Sequence, residues 1–316
     1  VRPLTSVIIV GGGLAGMSAA WRLVQAGHTI TLVERRPYLG GRAYSFVDRE
    51  TDEQIDNGQH VFLGCCTAFV QLLDDIGSLE LAARQNNLRA EVYSPDGTRG
   101  LLSAMLLPPP LHLFPSFLRY PHITWRDKLR ALPALARIWM KKELDNPELQ
   151  RNSFLAWLKS NGQSEQCISN FWDLLIVPTL NDDSGHVSAS AAFMVFQEAL
   201  LRNAQGGAIG FARGSLSELI GHRLESQLLA AGATLKLGSA ADRFEVEGRH
   251  VKEVILRDGT RLCADAYISA LPPSPMLEML PEHVRKEGSF RSASSHTWAP
   301  IVNLHIWYNQ PIGDFE

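Results

Sequence analysis

The chain is poor in cysteine, with only Cys65, Cys66, Cys167 and Cys263 among 316 residues. None stand at C-x-x-C spacing and two are adjacent, which suits neither a disulfide framework nor a zinc site. They read as reduced thiols of a cytoplasmic protein, with Cys65 and Cys66 as buried packing on a helix and no bound metal expected. A basic excess is also lacking. At a net charge of -3 and a pI of 6.4 the chain has no global field for phosphates, which argues against a nucleic-acid partner. Long apolar runs are missing too. The stretch from Leu101 to Leu118 is broken by Pro108, Pro109, Pro110 and Pro115, so it cannot be a spanning helix of about 20 residues. Arg2 precedes an apolar run that could pass for a signal-peptide core, but the glycines that follow break it.

What is present is a hydrophobic content of 45%, enough for two intertwined domains with proper cores. Val7 to Val10 is a β-branched run that reads as a buried parallel strand, Leu14 to Ala26 as a helix stopped at Gly27, and Thr29 to Val33 as a second strand. Between the first strand and the helix, Gly11, Gly13 and Gly16 make G-x-G-x-x-G. The first glycine permits the tight turn, the second lets backbone approach a pyrophosphate, and the third lets helix pack on strand. Leu14 and Ala15 fall in the same helix start, where phosphate charge is favoured. Glu34, eighteen residues after Gly16, ends the second strand in position to accept ribose hydroxyls. This unit alone leaves NAD and FAD both open.

The continuation narrows the choice. Glu34-Arg-Arg-Pro-Tyr-Leu-Gly-Gly-Arg42 and Asp56-Asn-Gly-Gln-His60 resemble the paired motifs of the amine oxidase and phytoene desaturase flavoprotein superfamily. The resemblance implies FAD, with Gly40, Gly41 and Arg42 passing over the pyrophosphate, Gly58, Gln59 and His60 reaching the flavin ring, and Arg35 among the cofactor-binding residues. Two glycines allow close backbone approach, and an arginine offers a fork of donors to phosphate. Farther on, Asp258-Gly259 favours a type I′ hairpin between Val251–Arg257 and Thr260–Ala264. Asp265 to Pro273 looks like the superfamily's return to the cofactor domain, and Ala233 to Phe244 like the strand and turn near adenine, with Ala241 as the contact. A second Asp-Gly, Asp96-Gly97, suggests a hairpin within Glu91 to Leu102.

From about residue 91 to 205 helical segments rich in Leu, Trp and Phe replace the dinucleotide pattern. Ser153 is placed to cap a helix that stops near Gly162, and core packing explains most of the aromatics. Trp125, Leu129, Leu132, Leu135 and Trp139 recur at helical spacing among Arg119, Arg126, Lys128, Arg130, Arg137, Lys141 and Lys142. Thr124 with Asp127 forms a capping-box pattern, and Pro133 should kink the helix. This segment suggests peripheral association with anionic membranes, on the inner face of the cell membrane.

The run Asp56-Asn-Gly-Gln-His-Val-Phe-Leu-Gly64, the Ser153–Leu158 helix and Phe171-Trp172 leading to Leu180-Asn181 together resemble the hydroxysqualene dehydroxylases. These are the squalene-associated, FAD-dependent relatives of phytoene desaturase in bacterial hopanoid pathways. Pro178-Thr-Leu-Asn-Asp-Asp183 departs from the pattern, which has small apolar residues before Leu-Asn and Thr-Pro after it. The fold implied is α/β, a Rossmann-like FAD-binding domain interleaved with an α+β substrate domain. Its expected boundaries are 1–90 and 206–275 for the cofactor part, and 91–205 and 276–316 for the substrate part.

His296 to Tyr308 reads as a substrate-domain strand, and the resemblance implies a further C-terminal flavin-contacting segment, so the chain reads as truncated. Gly313-Asp314 matches that segment's Gly-Asp only by coincidence. The implied activity is reductive dehydroxylation of an apolar isoprenoid. A carotenoid-type desaturase, an amine oxidase and an inactive scaffold are the alternatives. His60 and Asp182 are candidates for polar roles, while the sequence names no catalytic acid and no oligomeric state.

Overall fold

The computed structural model describes residues 5–296 and 298–310 and separates the chain into two compact units. The first holds Val1–His60, Gln71–Ala82 and Ala212–Glu316, and the second Val61–Val70 and Ala83–Phe211.

The first unit is built on a parallel sheet. Strand β1, Ser6–Val10, lies beside β2, Thr29–Val33, with Val7 opposite Ile30 and Val10 opposite Val33. Thr234–Lys236 adds to the far side of β2, and Ala266–Ser269 to the far side of β1. Val7, Ile8, Ile9 and Val10 are all buried, as a parallel strand covered on both faces requires. Helix α1, Leu14–Gln25, buries Met17, Ala20 and Trp21, and Gly27 follows it at φ +88°, the left-handed position that ends many helices. Asp265 opens the returning strand: its carboxylate accepts from the Ser6 amide at 2.8 Å and the Ser6 hydroxyl at 2.7 Å, which pins that strand's register on β1.

An antiparallel sheet of Ala241–Glu247, His250–Leu256 and Arg261–Leu262 adjoins this core. The hairpin at Asp258-Gly259 forms, but not as type I′. Only Gly259 has positive φ, at +86°, while the Asp258 carboxylate accepts from the Thr260 amide at 2.9 Å and holds the turn through a side-chain bond instead.

Three expectations about the two units are corrected. The described residues from 276 onward group with the first unit, where Leu277, Met279 and Leu280 share a buried cluster with Phe244, Val254 and Leu256. Residues 298–310 form no strand, so the expected strand from His296 to Tyr308 is not formed there. Gly313-Asp314 and Arg2 lie outside the described residues. Residues 61–70, 83–90 and 206–211 join the second unit rather than the cofactor part, because Val61–Leu63 pairs with the strand starting at Ile209 and Gly64 donates to the Ala208 carbonyl at 2.8 Å.

The second unit carries the Asp96-Gly97 hairpin, Arg89–Tyr93 against Arg99–Ser103, and a set of helices. Ser153 caps Phe154–Ser160 by accepting from the Ala156 amide, and Gly162 follows at φ +71°. The aromatics are core: Phe154, Trp172 and Phe196 are wholly buried and pack edge-on or tilted against one another at centroid separations of 5.0 to 5.9 Å. Trp172 donates its indole N–H to Gln163 Oε1 at 3.0 Å, which satisfies the one polar atom this ring brings inside. The capping box at Thr124 and Asp127 is formed, and the helix Trp125–Met140 runs on through Pro133. Among the described residues, no helix is long and apolar enough to cross a membrane.

Candidate functional site

The glycine-rich turn sits between β1 and α1. Gly11 adopts φ +110° and donates its N–H to the Val33 carbonyl at 2.9 Å, tying the turn to the second strand. At Gly16 a Cβ would stand 1.9 Å from the Gly11 carbonyl oxygen, so helix and turn touch backbone to backbone. Gly13 is different. It is the N-cap of α1, its φ of -76° is open to any residue, and a Cβ there would meet nothing nearer than the Gly41 Cα at 3.9 Å. No side chain caps this helix and no acid occupies its first turn, where Leu14 and Ala15 stand. The helix start is left with unspent amide charge facing open space, which suits an anion.

The second motif lies directly on the first. Gly40 donates to the Gly12 carbonyl at 2.9 Å and bridges to Gly13, and Gly41, at φ +61°, comes so close that a Cβ would be 2.8 Å from the Gly13 Cα. Arg36 clamps the contact: its Nη1 donates to the Gly41 carbonyl at 2.8 Å while its guanidinium covers the rings of Tyr38 and Tyr44. The arginine that organises this segment is therefore Arg36. Arg35, the sequence candidate, points to solvent, and the flanking tyrosines were the signal that could have distinguished them. Arg42 is also exposed, and its carbonyl accepts from Asn57 Nδ2 at 3.1 Å.

Glu34 is buried, 8% exposed, and does more than end a strand. Its Oε2 accepts from the Gly12 amide at 2.6 Å and its Oε1 from the Arg36 amide at 2.8 Å, so one carboxylate joins the two motifs. An ionised carboxylate accepts about four hydrogen bonds, which leaves capacity for hydroxyls. The segment after Thr234–Lys236 closes on the same place: Ser239 donates to the Glu34 carbonyl at 2.9 Å and Gly238 to the Arg36 carbonyl at 2.8 Å. Ala241 begins the next strand and pairs with Leu256, so the residues lying against Glu34 and Arg36 are Gly238 and Ser239.

The third motif is anchored by Asp56, whose Oδ1 accepts from Ser45 Oγ at 2.6 Å and from the Leu216 amide at 3.0 Å. Gly58 is buried at φ +90°, and a Cβ there would overlap the Asn303 side chain at 2.4 Å. Gln59 and His60 are exposed, with His60 Nδ1 held 2.8 Å from the Gly58 carbonyl. In the second unit Asp182 lies 3.3 Å from His186 Nδ1, which is also 3.3 Å from Asp183.

Comparison with known proteins places the chain in a family. The model of the flavin containing amine oxidoreductase family matches residues 14–315. The chain belongs to that family. Its cofactor is FAD, and the residues here fit it: an uncapped helix start, a turn kept open at Gly13, and a carboxylate with acceptor capacity beside them. The chain is similar to zeta-carotene desaturase of Zea mays, 29% identical over 97% of this chain and 56% of the maize protein. It is also similar to 15-cis-phytoene desaturase of Synechococcus elongatus, 24% identical over 98% of this chain and 67% of that one.

Among solved structures, an oxidoreductase from Methanosarcina mazei shares the fold at a TM-score of 0.65 and 20% identity, covering 92% of this chain and 63% of that one. Putrescine oxidase shares it at 0.63 and 19%, covering 90% and 63%. The chain thus spans a little over half the length of the maize desaturase.

Outside these motifs one pair of side chains is chemically unusual. The expected buried packing of Cys65 and Cys66 on a helix is not found: Cys65 is half-buried and Cys66 exposed. They precede Thr67–Asp75, where the Cys66 carbonyl accepts the first helical bonds from the Phe69 and Val70 amides. The Cys65 thiol hydrogen-bonds to Cys66, drawing the Cys66 pKa down to about 6 and pushing that of Cys65 up. The lowered group is a thiolate at neutral pH. Iodoacetamide should therefore label Cys66 first, with a rate that levels off above about pH 6 to 7, whereas an ordinary thiol keeps accelerating past pH 8. Cys65→Ser weakens this effect, and a wild-type rate still climbing through pH 9 contradicts the assignment.

Proposed function

We propose that the complete protein is an FAD-dependent oxidoreductase of isoprenoid metabolism that converts hydroxysqualene to squalene. The observation that carries this is the Asp56-Asn-Gly-Gln-His60 run, continuing to Gly64, in the arrangement described above. Asp56 is fixed by Ser45 and Leu216, Gly58 is in a conformation that suits glycine, and His60 is held through Nδ1. That run, with Leu180-Asn181, is what separates the hydroxysqualene dehydroxylase resemblance from the wider superfamily. In its reduced form FAD supplies a hydride.

On this reading Gly11, Gly13, Leu14, Ala15, Gly16, Gly41 and Arg42 receive the pyrophosphate, Glu34 the ribose, and Gly58, Gln59 and His60 the isoalloxazine side. The substrate's allylic C–O bond breaks, the hydroxyl leaves as water with a proton from a positioned acid, and hydride completes the carbon. Exclusion of water keeps the cation from being recaptured as alcohol.

A carotenoid-type desaturase is the second reading, supported by the desaturase relatives from maize and Synechococcus elongatus. The two run hydride in opposite directions. Anaerobic single turnover with reduced flavin deuterated at N5, in deuterated buffer, is expected to give squalene carrying one deuterium. Absence of squalene, or a desaturated product from phytoene with oxidised FAD, selects the desaturase.

A further inference from the structure

The helix Trp125–Met140 presents three faces rather than two. Its inward face, Ala131, Ala134 and Ile138 with Asp127 and Lys128, is buried against the second unit's core. Lys128 belongs inside, contrary to the sequence expectation, because its ammonium donates to the Leu118 carbonyl at 2.7 Å and lies over the Trp125 ring.

The outward surface is itself divided. At about 100° per residue, Trp125, Leu129, Pro133, Ala136 and Met140 fall within an arc of roughly 80°, and Arg126, Arg130, Arg137 and Lys141 within the next roughly 60°. Trp125, Leu129 and Met140 are 63%, 67% and 62% exposed. Between Asp96 and Glu143 the sequence holds one carboxylate side chain, Asp127, and it is buried in bonds to Thr124 and Ser164. A second apolar exposure stands close by. Met105, Leu106 and Leu107 project from the loop, and Leu111 from the 3-10 turn Leu111–Leu113, ahead of the short helix Phe114–Arg119, with Leu106 100% exposed. That helix rises only roughly 9 Å, and Lys128 ties its end to the first turns of Trp125–Met140.

We propose that this surface seats the protein on the anionic face of a lipid bilayer, Trp125 and Leu129 entering the headgroup boundary and Arg126 and Arg130 meeting lipid phosphates. The occupant follows from charge. An apolar stripe flanked by cations is the pattern of an interfacial helix. A second copy of the chain is a poor occupant, since a two-fold contact would set this patch on itself, cations against cations, and the segment between Asp96 and Glu143 offers no exposed acid to pair them. The net charge of -3 gives no global attraction, so binding depends on this local face and is independent of the reaction catalysed.

The test is co-sedimentation of the 316-residue chain with phosphatidylglycerol-containing vesicles and with phosphatidylcholine vesicles alone. Binding is expected to the first at low salt, falling steeply toward 1 M salt as screening shortens to about 3 Å. Each basic residue at such a surface is worth about fivefold in partitioning, so Arg126→Gln with Arg130→Gln should lose about 25-fold. Leu129→Ser with Trp125→Ser should lose the salt-resistant remainder. Both pairs change exposed side chains, and unchanged Tm confirms folding. Failure to sediment with anionic vesicles at low salt overturns the proposal, as does wild-type binding by both folded variants. A concentration-dependent dimer dissolved by the Leu129 and Trp125 changes would instead assign the face to self-association.

Discussion

Gly16→Ala is expected to abolish FAD retention and lower the Tm, whereas Gly13→Ala abolishes retention and leaves the Tm of the flavin-stripped protein unchanged. The contrast follows from what each new methyl meets. At Gly16 it would stand 1.9 Å from the Gly11 carbonyl oxygen, so α1 must move off the turn. Overpacking of this kind costs about 1–3 kcal/mol, and here the obstacle is backbone that cannot rotate away. At Gly13 the methyl meets no atom closer than 3.9 Å and the backbone is already in a region open to alanine. Stability there should hold within about 0.5 kcal/mol. The methyl would instead occupy the space over the helix start, and a tenfold loss of affinity is the least expected. Thermal unfolding and the flavin-to-protein absorbance ratio read the two effects separately. Retention of flavin by Gly13→Ala would place the pyrophosphate elsewhere.

Glu34→Ala should weaken FAD binding about ten- to a hundredfold, because a hydrogen bond to a charged group is worth about 1.5–3 kcal/mol. The structure adds a second effect that the position at a strand end did not suggest. Glu34 also holds the Gly12 and Arg36 amides, and removing it leaves the Gly12 amide without this acceptor, at about 1–3 kcal/mol. The alanine variant should thus lose stability as well as flavin, while Glu34→Gln, which keeps one acceptor oxygen, should lose less of both. Urea unfolding of the flavin-stripped proteins and fluorescence titration with FAD measure these terms. Unchanged affinity in a folded Glu34→Ala protein removes the ribose role, and unchanged stability removes the loop role.

The sequence by itself determined the parallel sheet and its turn. Val7–Val10, Gly11 to Gly16 and Thr29–Val33 act through contacts close along the chain, and such contacts leave a readable pattern of apolar runs, glycines and caps. The capping box at Thr124 and the cap at Ser153 were legible for the same reason. Membership of residues 276–310 in the first unit was not legible, since it depends on Leu277 and Met279 meeting Phe244 and Val254 across the chain. Nor was the choice of Arg36 over Arg35, which rests on whether a side chain reaches Gly41 and two tyrosine rings. Lys128 looked like one more surface cation until its ammonium found the Leu118 carbonyl. Local backbone preference and periodicity are written residue by residue, but the partner of a buried charge is supplied by whichever segment folds against it, and only the tertiary structure decides that.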